Sequence, residues 1–412
     1  MKRIIIYILI LILCLSFSPN ISFADSPEAT LTVDGTLVGS YPSVQDAVDE
    51  IAAHTGSNFV IEIAEGTVTD PLDILQLPDK NVVIKPQPGA SVVFTNTITI
   101  DGNGNLNNSE TLLIQGLTFD FTSGSPENCI YFNLLPSRVG HSYPHNVTIN
   151  GCTFRGVFDT TVAVQSIPGG SRNIAIMNCT ATDMHSLAQL KAVSGYAFIQ
   201  NCIVSNAGGG VNFYGTGDLI VDSCKFDVVG YAVRSGQGSG IISNLGSVTI
   251  NNSILNSNSM EDGTVVLRGD STNNINIVHS NLENANPDGS IIQNLNPDSD
   301  DKYNIDIVES NLTGQITGID LSTITTTDDP NVENGPVCII SENGNGQDDN
   351  LIKKIILMII KFIILLILLP LIIIIAVIRF IFSRRSNSLN TEANNTDDET
   401  KNIFSINFKP KK

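Results

Sequence analysis

Six side chains, Gln165, Lys191, Tyr214, Arg234, Arg268 and Gln293, close the short segments VAVQ (162–165), QLK (189–191), NFY (212–214), AVR (232–234), VLR (266–268) and IIQ (291–293). Amides, cations and a phenol repeated in this way could hold a sugar chain, the polar ends taking hydroxyls and Tyr214 a ring face. Asp159, Asp183, Asp227 and Asp270 lie near them in sequence, and His185 is the histidine beside this strip. A lyase would need calcium-binding acids next to a base that removes a proton beside a carboxylate, and these residues are the nearest to that requirement. A glycoside hydrolase would need paired carboxylates on one face. The adjacent acids Asp300-Asp301, Asp328-Asp329, Asp348-Asp349 and Asp397-Asp398 fall instead in loops and polar terminal segments. The strip therefore reads as a glycan-binding surface, as an ordinary solvated face or as a cleft, and the residues leave all three open.

No catalytic residue, metal ligand or cofactor is assigned. The segment DGNGN (101–105) sets Asp101, Asn103 and Asn105 at alternate positions, as in a calcium loop, but Leu112 stands where the twelfth-position carboxylate belongs. It reads as a Gly-rich turn, with Ca²⁺ a weak alternative. No Ser-His-Asp set, phosphate-cradling loop or metal-spaced Cys/His cluster is present.

The elements that position the strip come from a repeat. LLIQGLTF (112–119), VTINGCTF (147–154), IAIMNCTA (174–181), AFIQNCIV (197–204), LIVDSCKF (219–226), VTINNSIL (248–255), INIVHSNL (275–282) and IDIVESNL (305–312) follow one pattern. Val147 and Ile149 alternate with polar neighbours, but Cys152 and Phe154 continue the alternation out of phase, so the strand must bend at Gly151. Gly116, Asn178, Asn201 and Asn252 share that place, residue types that enter positive φ at least cost; Ser223, His279 and Glu309 depart from the rule. The repeat is too short for a strand, a helix and a return, and fits one turn of a parallel β-helix. Stacking at about 4.8 Å per coil gives a rod roughly 40–50 Å long. Cys152, Cys179, Cys202 and Cys224 take one inward position of successive coils and read as small core residues. Disulfides between stacked neighbours are the sharper alternative, but parallel Cβ atoms near 4.8 Å apart are wider than the disulfide optimum.

Residues 30–40 read as a hairpin around Asp34-Gly35, and 42–54 as an amphipathic helix capped by Ser43, with Val44, Ala47, Val48, Ile51 and Ala52 on its apolar face. Such a helix would plug the open end of the solenoid. Ser43, Gln45 and Ala47 of this helix, IEIAEGTV (61–68), IDGNG (100–104) and NVTINGCTF (146–154) resemble the right-handed parallel β-helix superfamily that includes pectate lyases. The resemblance covers about 40–320 and implies the fold; its members include lyases, glycosidases, phage tailspikes and non-catalytic adhesins, so it does not choose an activity.

The chain ends place the protein. Residues 1–24 run from MKR through an apolar stretch to Ser22-Phe23-Ala24, as a signal peptide does. Ile355 to Ile378 carry one charge, Lys361, and are long enough to cross a bilayer, with Arg379, Arg384 and Arg385 following. The expected organisation is a signal peptide (1–24), a hairpin and capping helix (25–58), a parallel β-helix (59–324), a polar stalk (325–352), a transmembrane helix (353–378) and a disordered cytoplasmic tail (379–412). The fold class is thus all-β, a right-handed parallel β-helix of single-stranded solenoid type with one C-terminal transmembrane helix. The formal charge of −19 repels nucleic acid and anionic surfaces. A plasma-membrane, single-pass, adhesin-like or glycan-binding ectodomain is expected, meeting glycan or another cell surface; the rivals are a membrane-tethered polysaccharide lyase or glycosidase and a structural spacer.

Overall fold

The computed structural model describes residues 26–75, 80–101, 111–133, 146–166, 173–191, 195–214, 217–236, 246–268, 273–295, 303–327 and 338–341. The chain divides into a unit of Met1–Glu342, which holds all of these, and a second of Asn343–Lys412. The expected signal peptide, transmembrane helix and tail lie outside the described residues, among which no helix is long and apolar enough to cross a membrane.

The described chain is all-β apart from one short α-helix and two 3₁₀ turns. Its strands form a 13-stranded and a 20-stranded sheet. In the first, Asn58–Ile63, Asn81–Pro86, Thr111–Gln115, Asn146–Asn150, Asn173–Met177 and Tyr196–Gln200 pair parallel in unbroken register, and the later coils continue them. Each is followed by strands of the second sheet, as Asn146–Asn150 is by Thr153–Arg155 and Val162–Ser166. Equivalent strands of successive coils again pair parallel, the stacking that a β-solenoid requires.

Period-two alternation explains the core. Leu112, Val147, Ile174, Ala197 and Leu219 occupy matching positions and are buried, as are Ile114, Ile149, Ile176, Ile199 and Val221 two residues on. Beyond the bend Phe94, Phe119 and Phe154 stack, with centroids 5.5 and 5.0 Å apart. Burial of such side chains contributes about 1.5–3 kcal/mol each.

All eight bend residues have positive φ: Gly116, Gly151, Asn178, Asn201, Ser223, Asn252, His279 and Glu309. The three that depart in type thus keep the left-handed backbone. Neighbouring amides tie the bends together, Asn178 Nδ2 donating to Asn150 Oδ1 at 2.7 Å and Asn201 Nδ2 to Asn178 Oδ1 at 3.2 Å. Cys152, Cys179, Cys202 and Cys224 are free and buried. Each thiol points to the carbonyl two residues earlier and to one on the preceding coil, as Cys202 Sγ does to Gln200 O and Ile176 O. Ser253, Ser280 and Ser310 repeat that geometry with hydroxyls.

At the N-terminal end Ala29–Val33 and Thr36–Tyr41 form the hairpin, and Ala29–Val33 lies antiparallel on Asn58–Ile63, covering the edge of the first coil. The helix is Val44–Glu50, continued by a 3₁₀ turn at Ile51–Ala53, and Ser43 Oγ accepts from Asp46 N. Val44, Ala47, Val48 and Ile51 are buried, but Ala52 is exposed, because the tighter final turn rotates it out of the apolar stripe. Lys80 closes that end, Nζ donating to Ile51 O at 2.5 Å and to His54 O at 2.9 Å.

The C-terminal boundary differs from expectation. Ile324–Thr327 adds to Tyr303–Val308, and Cys338–Ser341 to Asn311–Thr317, both parallel, so stacked strands enter the segment read as stalk. The β-branched run Ile324 to Thr327 is a good strand former beside an otherwise open sheet edge.

Candidate functional site

The strip lies on the third strand of successive coils, in the second sheet. Buried Val164, Ala188, Val211, Val233, Val265 and Ile292 stand in register and fix the level of everything beside them. One residue on, on the side of the strand opposite these, come Gln165, Gln189, Asn212, Arg234, Val266 and Gln293, of which Asn212 and Val266 are buried.

The six residues expected in one column therefore occupy two. Gln165, Arg234 and Gln293 share the first, whereas Lys191 pairs with Tyr214, and Arg268 with Gly236, two residues farther along the strand. The apolar pair Val211 and Phe213 decides this, since their burial brings Asn212 rather than Tyr214 level with Arg234. The first column is also interrupted, because Val266 is fully buried.

Within it a polar cluster forms around Arg234. Its guanidinium pairs with Asp262 and lies 4.0 Å from the centroid of the Tyr231 ring. Such stacking is worth about 0.5–2 kcal/mol, more as water is excluded. Gly209 makes room for the ring, since a Cβ there would stand 2.7 Å from Tyr231 Cζ. Asn212 Nδ2 donates to Tyr214 Oη at 2.8 Å. Burial pushes the Tyr231 phenol up to about 12, against the opposing charge of Arg234, so it stays a neutral hydroxyl at physiological pH. At the flanks Gln165 Nε2 donates to Gln189 Oε1 at 3.4 Å, and Gln293 Oε1 accepts from Gly263 N at 2.9 Å.

His185 belongs to this neighbourhood electrostatically. Burial lowers its pKa, Asp159 raises it and Arg234 lowers it again. Asp159 and Asp227 are exposed. Asp183 is exposed with a left-handed backbone and accepts a hydrogen bond from Asn206. Asp270, Asn103 and Asn105 lie outside the described residues. Among the described residues no group of three or more His, Cys, Asp and Glu side chains converges as metal ligands would.

No protein-family model, curated protein or solved structure matches this chain. Its chemistry has to be read from the cluster itself.

Asn212, Tyr231 and Asp262 escaped the sequence reading. Aligning the inward apolar residues rather than the polar strand ends would have found Asn212. Tyr231 and Asp262 lie two and three residues before the inward Val233 and Val265, so both sit in turns that return to this face.

Proposed function

We propose that the chain is a single-pass surface protein whose ectodomain, a right-handed parallel β-helix of the pectate lyase-like superfamily, binds extracellular glycan without transforming it. The observation that carries this reading is the cluster of Asn212, Tyr214, Tyr231, Arg234 and Asp262 on the outer face of the second sheet. Its polar groups are held by strand register and mutual hydrogen bonds, the preorganisation that recognition of a flexible polymer needs. Gln165 and Gln293 lie in the register of Arg234 on other coils, and the proposed surface also takes in the strand positions of Lys191 and Arg268, two residues farther along. Membrane attachment rests on the apolar runs at 1–24 and 355–378, which set the β-helix outside and the tail inside.

A second reading, a membrane-tethered lyase or hydrolase, is favoured by His185 alone. Burial holds its imidazole toward the neutral form that can take a proton, within the field of Asp159.

The test uses the full chain in detergent, applied to a glycan array with release of oligosaccharide products followed in parallel, with and without Ca²⁺. Binding without products, weakened by Arg234→Ala in a protein that still melts cooperatively, supports the binding reading. Products that vanish in His185→Ala would replace it with the enzyme. Neither binding nor products would leave a spacer.

A further inference from the structure

Two atoms of the cluster have no hydrogen-bond partner among the described residues. Arg234 gives a terminal nitrogen to Asp262 and its face to Tyr231, yet its Nε is buried and unpartnered. Asn212, only 6% exposed, gives Nδ2 to Tyr214, and its Oδ1 is likewise buried and unpartnered. The two residues are register partners on adjacent coils, whose backbones stand about one strand spacing apart, roughly 4.8 Å, so the donor and the acceptor come from neighbouring strands. Buried polar atoms in native proteins are almost always paired, and a pair of exceptions on neighbouring coils points to a ligand group.

The chemistry of that group follows from the two atoms. It must accept from an N–H and donate to a carbonyl oxygen, which a hydroxyl does. A carboxylate or sulfate accepts but cannot donate, so Asn212 Oδ1 would stay unpaired. The positive charge that would attract an anion is already matched by Asp262, whose own carboxylate repels one. Resting on the glycan-binding reading above, we propose that Asn212 and Arg234 form a hydroxyl-reading subsite that selects neutral sugars and rejects uronates and sulfated sugars. The hydroxyl bridges Arg234 Nε–H and Asn212 Oδ1. Both atoms are closed to solvent, so the hydroxyl enters with a local side-chain rearrangement.

The experiment presents the full chain in detergent with neutral homopolysaccharides and with polyuronates and sulfated polysaccharides, at low and at high salt. Neutral polymers should be retained with little salt dependence. Asn212→Ala should weaken that binding about tenfold, the effect of losing one buried hydrogen-bond partner. Arg234→Lys, which keeps the charge but lacks Nε in place, should weaken it similarly, and thermal melting of both variants shows whether the fold is kept. Folded variants that bind neutral polymer like the parent would overturn the proposal, since the two atoms would then serve a buried water only. Retention of polyuronates over neutral polymers, abolished by salt, would also overturn it while leaving the glycan-binding reading intact. Failure to retain either class would remove both.

Discussion

His279 Nε2 stands 2.6 Å from a carboxylate oxygen of Glu309, and both residues occupy the left-handed region, with φ of 48° and 45°. They are successive corners of the solenoid, places where the earlier coils, Ser223 apart, use Gly or Asn. A non-glycine residue held there costs about 1–2 kcal/mol, whereas the contact between such solvent-accessible groups, an ion pair only when the imidazole is protonated, returns about 0–1 kcal/mol. The pair thus offsets only part of the strain. The double variant His279→Asn, Glu309→Asn should therefore be more stable than the parent by about 1 kcal/mol. A urea midpoint that falls would show that the ion pair outweighs the backbone.

Gly151 isolates the same backbone requirement from packing. A Cβ at this position would meet nothing within 4 Å, yet its φ is 65°. Gly151→Asn should be tolerated, as Asn178 and Asn201 are on the next two coils. Gly151→Val should cost about 2–3 kcal/mol, because a β-branched residue resists that conformation. Equal urea midpoints for the two variants would mean that the corner adapts and that φ does not set the fold there.

What was legible in the sequence follows from where side chains are forced inward. The eight bends were readable because the alternation slips by one residue at each, and that slip is visible even where Ser223, His279 and Glu309 replace Gly or Asn. The buried thiol column was readable for the same reason. Outward positions carry no such constraint, so matching Tyr214 to Arg234 by polarity alone placed it two residues away from its true level. Tyr231 and Asp262 come from turns, where no period exists, and only the fold brings them onto Arg234. The stacking of Ile324–Thr327 was missed because a threonine run without apolar alternation reads as linker although it can pair at a sheet edge.

The thiol column has a chemical signature. Burial holds the Cys129 thiol well above its usual pKa, and Cys152 is pushed the same way by the adjoining Cys179 thiol and by burial. Cys179 is shifted the other way by its neighbouring thiols, so what the five share is burial, and Cys129, Cys152, Cys179, Cys202 and Cys224, closed to reagent, should be silent toward a thiol-specific disulfide reagent at pH 8 in the native protein and react once it is denatured. Cys179→Ser should retain the fold within about 1 kcal/mol, since Ser253, Ser280 and Ser310 already fill that place with hydroxyls bonded to the same kind of carbonyl. Reagent uptake matching these cysteines before unfolding would contradict their burial. A mobility change on reduction of the denatured protein would reveal cross-links between them.

Asp34 makes the N-terminal hairpin sensitive to acid. Its carboxylate accepts from Asn58 N at 3.0 Å and from Asn58 Nδ2 at 3.1 Å, and these bonds hold its pKa below the ordinary 3.8. Because the folded value lies under the unfolded one, the ionised form favours folding. The contribution is complete above about pH 4 and fades as pH falls through the lowered value. Asp34→Asn keeps a residue suited to its φ of 47° and still presents an oxygen to Asn58 N, but it removes the titration. Hydrogen exchange of Ser57 and Asn58 amides should quicken relative to the protein's other strands as the parent is taken below pH 4. In Asp34→Asn that excess should be absent, so an equal acid response in the two proteins would place the sensitivity elsewhere.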